Sequence, residues 1–299
     1  MEDSVRWVNA MQEYVEISDF NVPVDFSSDP RSTAGSGDLY SDNVSSGATD
    51  ISKWPSNIGL AATFDTEHMY NFAKASSAEY RALGIVTALG PQIDLATEPR
   101  WLRVGGTFGE NTKLSTDMAQ AYVDGSQSTY VNGEDQGWGK DSINCMIKHF
   151  PGDGLDERDQ HIVTTNNDMS VEEWEENFGK VYRGMIDAGV ESVMIGHIRL
   201  PEMSRKLRPG IKDNEIMPAT IAPELLQDLL RDELGFNGLV ITDATHMVGL
   251  TSAMRRAEIM PYTIAAGCDM ILYYRDKDED VEAIKEGLAN GVLTEERLK

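Results

Sequence analysis

The strongest indication of fold class is the stretch Gly238-Leu239-Val240-Ile241-Thr242-Asp243-Ala244, in which a short apolar run ends directly in one carboxylate. A segment of helical period precedes it and stops at Gly235, a residue type that commonly ends helices. This order places Asp243 at the carboxyl end of a strand, which is where an α/β barrel carries its chemistry. An aspartate that caps the next helix or closes a turn gives the same local pattern, so a second motif is needed.

Five more apolar runs of strand length lie along the chain, at residues 22–26, 85–89, 144–150, 192–197 and 269–274. Together with 239–242 they alternate with segments of helical period, and this alternation predicts βα units around a parallel sheet. Apolar helical stripes that stop at Gly84, Gly189 and Gly235 are interpreted as core faces. The polar segment 32–52 is predicted to be a loop at a pocket mouth, and the acidic run 276–280 a solvated surface turn.

Composition narrows the class of protein. At 299 residues and 40% apolar content, the chain is long enough for one barrel or two small domains. The formal net charge of −24 argues against nucleic acid or an anionic membrane surface as a partner, because both would repel the chain. Cys145 and Cys268 stand in apolar runs and are predicted to be buried thiols. We recognise no signal peptide and no apolar run of membrane-spanning length, so a cytoplasmic location is expected.

Three further segments contain polar residues that are uncommon in a core. They are Lys148-His149-Phe150-Pro151-Gly152-Asp153-Gly154, Gly90-Pro91-Gln92-Ile93-Asp94-Leu95, and Glu98-Pro99-Arg100-Trp101-Leu102-Arg103 with Thr107-Phe108-Gly109-Glu110-Asn111. Together they resemble the barrel domain of glycoside hydrolase family 3, with the motifs in family order over about residues 22–298. The resemblance implies an α/β fold, a (β/α)8 TIM-type barrel in a single domain over residues 1–299.

The number of strands departs from that barrel. Six runs are visible, where a closed (β/α)8 barrel has eight strands. The resemblance identifies 5–17 as the helix before the third strand and 281–288 as the helix after the eighth. We therefore expect an incomplete barrel whose first two strands are missing, without a second α/β sandwich domain, as in a truncated gene product or after a wrongly chosen start codon.

The resemblance also implies roles for individual residues. Asp243 matches the catalytic nucleophile of the family. Lys148, His149 and Arg103 match side chains that hold the hydroxyls of the non-reducing-end sugar, and Asp29 looks like the carboxylate that grips the far hydroxyls of that sugar. These five residues are the predicted core of a sugar-binding site.

The proton donor is less clearly indicated. The β-glucosidases of the family take a glutamate from a second domain, whereas the β-N-acetylglucosaminidases carry Asp-x-His in the loop after the Lys-His-Phe-Pro-Gly motif. Asp159 and His161 stand at the matching spacing, and a histidine oriented by an aspartate can act as general acid/base near neutral pH. His197, predicted to bind substrate, also resembles the glucosaminidases, where a histidine stands at that strand end. Asp153, however, replaces the residue that is usual at its place in the glucosaminidases, and the stretch Glu98–Arg103 looks more like the β-glucosidases. A structural His161 bonded to a loop carbonyl explains its position equally well.

These residues predict a retaining exo-β-glycosidase that acts on terminal β-glucosyl or β-N-acetylglucosaminyl residues through a glycosyl-aspartate intermediate. The expected partner is a β-glycoside or oligosaccharide, no cofactor or metal is expected, and a homo-oligomer is compatible with the sequence. One alternative is a catalytically inactive sugar-binding fragment that lacks its acid/base. Another is a metal-dependent hydrolase that uses His149, His161 and Asp243, which is disfavoured because no close cluster of ligand residues is present.

Overall fold

The computed structural model describes residues 2–19, 21–29, 32 and 52–299. Its strands are β1 (Ser27–Ser28), β2 (Thr87–Ala88), β3 (Tyr130–Val131), β4 (Glu134–Asp135), β5 (Asn144–Phe150), β6 (Thr165–Asn166), β7 (Ser192–Ile195), β8 (Ile198–Arg199) and β9 (Leu239–Thr242). Its α-helices are α1 (Glu2–Glu16), α2 (Asn57–Ala61), α3 (Thr66–Ala82), α4 (Thr112–Gln127), α5 (Val171–Trp174), α6 (Lys180–Asp187), α7 (Pro201–Leu207), α8 (Val248–Thr251), α9 (Arg256–Ala266), α10 (Lys277–Ala289) and α11 (Glu295–Leu298). Short 3-10 segments occur at Val104–Gly106, Asp213–Glu215 and Ala219–Ile221, and π-helical segments at Glu175–Gly179 and Glu224–Glu233.

A parallel sheet of five strands, in the order β1-β2-β5-β7-β9, organises the described part of the chain. Each strand pairs with the next along this order, so the carboxyl ends of all five meet at one edge. A parallel bridge between Ile241 and Met270 places the sixth predicted run beside β9. The predicted α/β class and parallel sheet are confirmed.

The sheet is buried on both faces, as expected when helices cover parallel strands. Along β5, Cys145 and Ile147 join the large core cluster that also contains side chains of α3, α4 and α6. Met146, which lies between them, joins a second cluster on the other face. That cluster takes one residue from each of four runs, namely Leu89, Met146, Met194 and Ile241, and Leu272 of a fifth run packs against it. The alternation has the period of two residues that a strand imposes.

Four of the six predicted strands differ from their expected bounds. The runs 85–89 and 192–197 shorten to Thr87–Ala88 and Ser192–Ile195, the strand expected at 22–26 is displaced to Ser27–Ser28, and the run 269–274 contributes only the bridge at Met270. Residues 22–26 precede the paired strand Ser27–Ser28, because the amide side chain of Gln12 accepts the N–H of Val24 at 2.9 Å and donates to its carbonyl at 2.7 Å. In the run 269–274 the hydroxyl of Thr242 accepts the N–H of Leu272 at 2.9 Å, and Tyr273 has a φ of +57° that ends extended backbone. Side chains thus occupy backbone groups that a longer ladder would use.

The prediction of a solvated surface turn at 276–280 is wrong. Asp276 caps α10 by accepting the N–H groups of Asp278 and Glu279, both at 3.0 Å. Asp280 is buried and forms a two-pronged ion pair with Arg256, at 2.9 and 2.6 Å. The partner is 24 residues away, so the local charge run could not reveal it.

Three other expectations have clear outcomes. Cys145 and Cys268 are buried free thiols, and burial raises the pKa of Cys145 to about 12, so that the thiol is unreactive. The predicted loop 32–52 lies outside the described residues apart from its two ends. Within residues 2–19, 21–29, 32 and 52–299, no helix has the length and apolar character needed to cross a membrane.

Candidate active site at the carboxyl edge of the sheet

Asp243 follows the last residue of β9 and is 7% exposed. Its Oδ1 accepts the N–H of Ala244 at 2.7 Å. Its Oδ2 is buried and has no hydrogen-bond partner among the described residues, although Nε2 of His149 lies 3.6 Å away. Burial acts to raise the pKa of Asp243, but the His149 and His197 rings and the Ala244 N–H together hold it below its usual range. The site therefore presents an ionised carboxylate oxygen with an unused lone pair.

His149 lies between two carboxylates at the end of β5. Its Nδ1 is 2.7 Å from Oδ2 of Asp94, and its backbone N–H donates to Oδ1 of Asp94 at 3.1 Å. Burial and the nearby Arg103 lower the pKa of His149, against the opposing effect of Asp94 and Asp243. A neutral ring that donates its Nδ1–H to Asp94 leaves Nε2 on the side of Asp243, as a hydrogen-bond acceptor for a hydroxyl.

Asp94 orients this region and was not singled out from the sequence. It is fully buried and accepts four hydrogen bonds, from the backbone N–H of His149 and of Asp153, from Nε2 of Gln92 and from Nδ1 of His149. Burial acts to raise the pKa of Asp94, but His149 and the backbone donors hold it below the usual range. A carboxylate inside the apolar stretch 90–95 was the available sequence signal. The anchored Asp94 fixes the histidine that faces Asp243.

Two predicted sugar-binding residues from distant parts of the chain meet here. Nζ of Lys148 donates to Oδ1 of Asp29 at 2.8 Å, across a sequence separation of 119 residues. Lys148 is 4% exposed, whereas about half of the Asp29 side chain is accessible. A buried ammonium beside a half-open carboxylate offers a donor and an acceptor to one polar ligand, which suits a sugar diol.

Arg103 completes the cationic side of the site. Its Nη1 is buried without a hydrogen-bond partner in the described part of the chain. The charge of Arg103 lowers the pKa values of Asp153, Asp159 and Asp243, so the guanidinium lies within electrostatic range of all three. A buried guanidinium N–H without an acceptor is costly, and a ligand oxygen would remove that cost.

Asp159 and His161 form the predicted dyad. Oδ1 of Asp159 accepts from Nδ1 of His161 at 2.5 Å and from its backbone N–H at 2.9 Å. Burial acts to raise the pKa of Asp159, but these bonds and the charge of His161 outweigh it and lower the pKa to about 2. The His161 side chain is 51% exposed, so its Nε2 is available for exchange of a proton. The ionised Asp159 fixes the tautomer of its partner.

The loop that carries this dyad is attached to the segment after Asp243. The carbonyl of His161 accepts the N–H of Val248 at 3.2 Å, and the carbonyl of Gln160 accepts the N–H of Gly249 at 2.9 Å. Both donors lie in α8, a few residues beyond Asp243. The structure therefore brings the predicted nucleophile and the predicted acid/base to the same edge of the sheet.

His197 is at the same edge, but both of its ring nitrogens already have protein partners. Nε2 is 3.0 Å from the carbonyl of Ala244, and Nδ1 is 2.7 Å from the hydroxyl of Thr220. Burial lowers the pKa of His197, so the ring is neutral and donates Nε2–H to the carbonyl. This geometry favours a role in holding the segment after Asp243, in place of the direct sugar contact that the sequence suggested.

A cavity of about 630 Å³ lies beside the dyad loop without including Asp243. Its two lining arginines are already paired, Arg100 with Glu98 at 2.9 Å and with Glu157 at 2.7 Å, and Arg158 with Asp156. The unpartnered groups that a ligand would satisfy are instead at Arg103 and Asp243. The described residues contain no group of three or more histidine, cysteine or acidic side chains that could hold a metal ion.

Comparison with known proteins agrees with this arrangement. Residues 35–299 match the model of the glycosyl hydrolase family 3 N terminal domain. The chain is 45% identical over 273 residues to a beta-N-acetylglucosaminidase/beta-glucosidase of Cellulomonas fimi, which covers 90% of this chain and 46% of that protein. It is 31% identical over 317 residues to a probable beta-glucosidase C of Aspergillus oryzae, covering 99% and 45%. The chain thus spans less than half the length of these curated relatives.

Comparison with solved structures also finds proteins with names of this kind. A beta-glucoside phosphorylase superposes with a TM-score of 0.86 at 33% identity, over 99% of this chain and 49% of that chain. A family 3 beta-N-acetylglucosaminidase from Paenibacillus sp. superposes with a TM-score of 0.81 at 24% identity, over 99% and 51%. The second similarity is evidence for the fold alone. The sequence comparisons and the first superposition relate this chain to proteins that are named as a beta-N-acetylglucosaminidase/beta-glucosidase, a beta-glucosidase and a beta-glucoside phosphorylase.

Proposed function

The chain belongs to glycoside hydrolase family 3, and we propose that it is a retaining exo-β-glycosidase for terminal β-glucosyl or β-N-acetylglucosaminyl residues. The observation that carries the proposal is the buried Oδ2 of Asp243, ionised and without a hydrogen-bond partner among the described residues. A nucleophile needs a lone pair that the protein has not already used. Lys148, Arg103 and His149 lie at the same edge and supply the polar groups that would hold the sugar.

In the first proposed step, Oδ2 of Asp243 attacks the anomeric carbon and the bond to the leaving oxygen breaks. His161, protonated at Nε2, gives that proton to the leaving oxygen, so that an alcohol departs and His161 becomes neutral. In the second step a water attacks the glycosyl-aspartate, gives its proton to Nε2 of His161 and releases Asp243. Hydrogen bonds from Lys148 and Arg103 to the sugar hydroxyls would strengthen as the oxocarbenium-like transition state forms.

The finer architecture is also a proposal. The sheet order follows the chain order in one direction, as in the wall of a (β/α)8 barrel. The five paired strands and the run that bridges at Met270 would then be six consecutive strands of such a wall. The superposition with a TM-score of 0.86 on a beta-glucoside phosphorylase supports this interpretation.

A phosphorolytic second step is a distinct candidate. One solved relative, at 33% identity, is a beta-glucoside phosphorylase. An imidazole acid/base does not repel an anionic acceptor, whereas a carboxylate would repel phosphate by several kilocalories per mole at short range, roughly 4 kcal/mol at 4 Å in a partly solvated site. The dyad is therefore compatible with phosphate in place of water. Free sugar as product in phosphate buffer indicates hydrolysis, and sugar 1-phosphate indicates phosphorolysis.

The test of the proposed function is to trap the intermediate. We expect 2,4-dinitrophenyl 2-deoxy-2-fluoro-β-glucoside to add the mass of one glycosyl group to the peptide that contains Asp243. For the N-acetylglucosaminide, the probe is a fluorosugar that keeps the 2-acetamido group. Asp243→Asn should remain unlabelled. Label on another residue would refute the assignment of the nucleophile. Calorimetric binding of glucose or N-acetylglucosamine, with neither label nor turnover of nitrophenyl glycosides, would instead support the inactive sugar-binding alternative.

A further inference from the structure

Gln160 is a buried polar residue between the two members of the dyad. Its side chain is 0% exposed, although its neighbour His161 is half accessible. Its Oε1 accepts the backbone N–H of His197 at 2.6 Å, and its Nε2 donates to Oδ2 of Asp153 at 3.5 Å. Its own carbonyl accepts the N–H of Gly249 at 2.9 Å. One residue therefore connects the dyad loop to three other segments of the site.

Those three segments are the ones that hold the nucleophile and its histidine. Asp153 closes the motif that begins with Lys148 and also donates its N–H to Asp94 at 2.8 Å. His197 follows β7, and its ring bonds the carbonyl of Ala244, next to the nucleophile. Gly249 lies in α8, beyond the nucleophile. The side-chain amide of Gln160 thus fixes the dyad loop relative to Asp153 and His197, and its backbone carbonyl fixes the loop relative to α8.

Two glycines allow this close approach. A Cβ on Gly249 would lie 2.8 Å from the carbonyl oxygen of Gln160 and 3.1 Å from Cβ of His197. A Cβ on Gly196 would lie 3.3 Å from Oε1 of Gln160 and 3.0 Å from Cβ of His149. The 2.8 Å distance to a backbone oxygen is shorter than a Cβ accepts, so the contact of Gln160 with α8 requires glycine at 249, whereas a side chain at 196 would only crowd the Gln160 amide. Burial and Asp94 raise the pKa of Asp153 well above its usual range, and a neutral carboxyl suits a neutral amide partner.

We propose that Gln160 is the positioning residue of the acid/base, which holds the Asp159–His161 loop at a fixed distance from Asp243 through this three-way bridge. The inference rests on the proposed function, because it assumes that His161 transfers the proton. Gln160 itself touches neither substrate nor reacting atoms. Its effect on the reaction would pass entirely through the placement of Nε2 of His161.

This role predicts a selective kinetic effect. Without the amide, the N–H of His197 loses its acceptor in a buried region, and the loop is expected to relax away from the strand ends. A displacement of about 1 Å at a catalytic group can cost roughly 10²-fold in rate. The loss should be largest where the leaving group needs a proton, because the hydrogen bonds of Asp243 itself are to Ala244 and Ile195 and not to Gln160.

The experiment compares Gln160→Met, of similar length but without an amide, with Gln127→Met. Gln127 is the control, because its amide also makes two hydrogen bonds to distant segments, accepting from the N–H of Cys145 at 3.3 Å and donating to the carbonyl of Gly189 at 3.0 Å. It is the last residue of α4 and lies beside the start of β5, away from the strand ends that carry the site. Values of kcat/KM are measured for a methyl and a 2,4-dinitrophenyl β-glycoside, with His161→Ala as reference.

We expect Gln160→Met to lower kcat/KM for the methyl glycoside by about 10- to 100-fold and for the dinitrophenyl glycoside by less than about threefold. Gln127→Met should affect both substrates alike. Equal loss on both substrates in Gln160→Met, with selective loss in His161→Ala, would overturn the inference and leave the proposed function intact. Equal loss in His161→Ala itself would overturn the acid/base assignment.

Hydrogen exchange provides a second readout that does not depend on turnover. The peptide spanning residues 155–164 and the peptide containing Val248 and Gly249 should exchange faster in Gln160→Met than in the unaltered chain. Gln127→Met should leave both peptides unchanged. Unchanged exchange in Gln160→Met would show that the loop does not need the amide, and the inference would then be wrong whatever the activity of the chain.

Discussion

The two halves of the proposed catalytic pair are held by different kinds of structure. Asp243 stands at the end of a buried parallel strand, with one oxygen fixed by the N–H of the next residue. Asp159 and His161 stand in an irregular loop, and the imidazole is half exposed. The position of the first group follows from the sheet, whereas the position of the second depends on a few side-chain and backbone contacts. The position of Asp243 is therefore less sensitive to single side-chain changes than the position of His161.

The largest effect should come from the strand-held carboxylate. Asp243→Asn removes the negative charge and the nucleophile while keeping the shape of the side chain. We expect kcat/KM for aryl β-glycosides to fall by roughly 10⁴-fold, whatever the leaving group, because the amide that replaces the carboxylate is a poor nucleophile. Asp117→Asn, on the exposed face of α4, is the matched control and should leave turnover unchanged. Comparable turnover in Asp243→Asn would place the nucleophile elsewhere.

The loop-held dyad should give a smaller and selective effect. His161→Ala removes the proton donor, so kcat/KM for alkyl glycosides should fall by about 10²- to 10³-fold. Dinitrophenyl glycosides should lose less than about threefold, because their leaving group departs without a proton. A small anion such as azide should restore deglycosylation of the activated substrate and give the glycosyl azide. Loss of equal size with both leaving groups would assign His161 to structure and not to proton transfer.

A variant at Lys148 tests whether a sugar-binding residue on a strand affects kcat/KM equally for all leaving groups. Lys148→Met keeps the aliphatic stem but removes the ammonium that pairs with Asp29. We expect kcat/KM to fall by about 10- to 100-fold with every leaving group, as for loss of a charged hydrogen bond to the sugar. Lys206→Met, which breaks an exposed pair with Glu233, should change nothing measurable. A dependence on the leaving group in Lys148→Met would remove the distinction between the two regions.

The same distinction explains what could be predicted from the sequence. Asp243 and His149 stand in continuous apolar runs whose ends the sequence marks, and β5 and β9 have the predicted bounds. The association of Lys148 with Asp29 was expected only through the family resemblance, because 119 residues separate them. The contacts between the dyad loop and α8 had no sequence signal, since they join backbone groups of segments without periodicity.

Other residues escaped prediction because their role is defined only in three dimensions. Asp94 accepts hydrogen bonds from residues 55 and 59 positions further along the chain, and no local pattern shows that these donors converge. Gln160 appeared only as the unspecified middle residue of Asp-x-His. Asp280 looked like part of a solvated charge run until its pairing with Arg256 was seen. In each case a buried polar group acquires its partner from a distant segment, which composition and spacing do not encode.

The smallest expected effect is on the pH dependence of the free energy of unfolding. It is tested at Asp153, which accepts from the Gln160 side chain, and at Asp159, which precedes Gln160 in the chain. The pKa of Asp159 is lowered to about 2, so this carboxyl group ionises more readily in the folded state than in the unfolded chain. Its contribution to stability is then present above about pH 4 and lost as the pH falls toward 2. The pKa of Asp153 is raised by burial and by Asp94, so its contribution has the opposite sign: stability falls as the pH rises above about 4.

We therefore expect opposite trends in the free energy of unfolding when Asp153→Asn and Asp159→Asn are compared with the unaltered chain by urea denaturation between pH 2.5 and 7. The deficit of Asp159→Asn should shrink on acidification, by about 1 kcal/mol or less, because solvent screens part of that interaction. Asp153→Asn should gain on the unaltered chain as the pH rises, since the amide never has to ionise in a buried site. Taking differences removes the acid sensitivity that all three chains share. Parallel curves for the two variants would mean that the pKa values of Asp153 and Asp159 are shifted in the same direction. The different environments described for these two carboxylates would then be wrong.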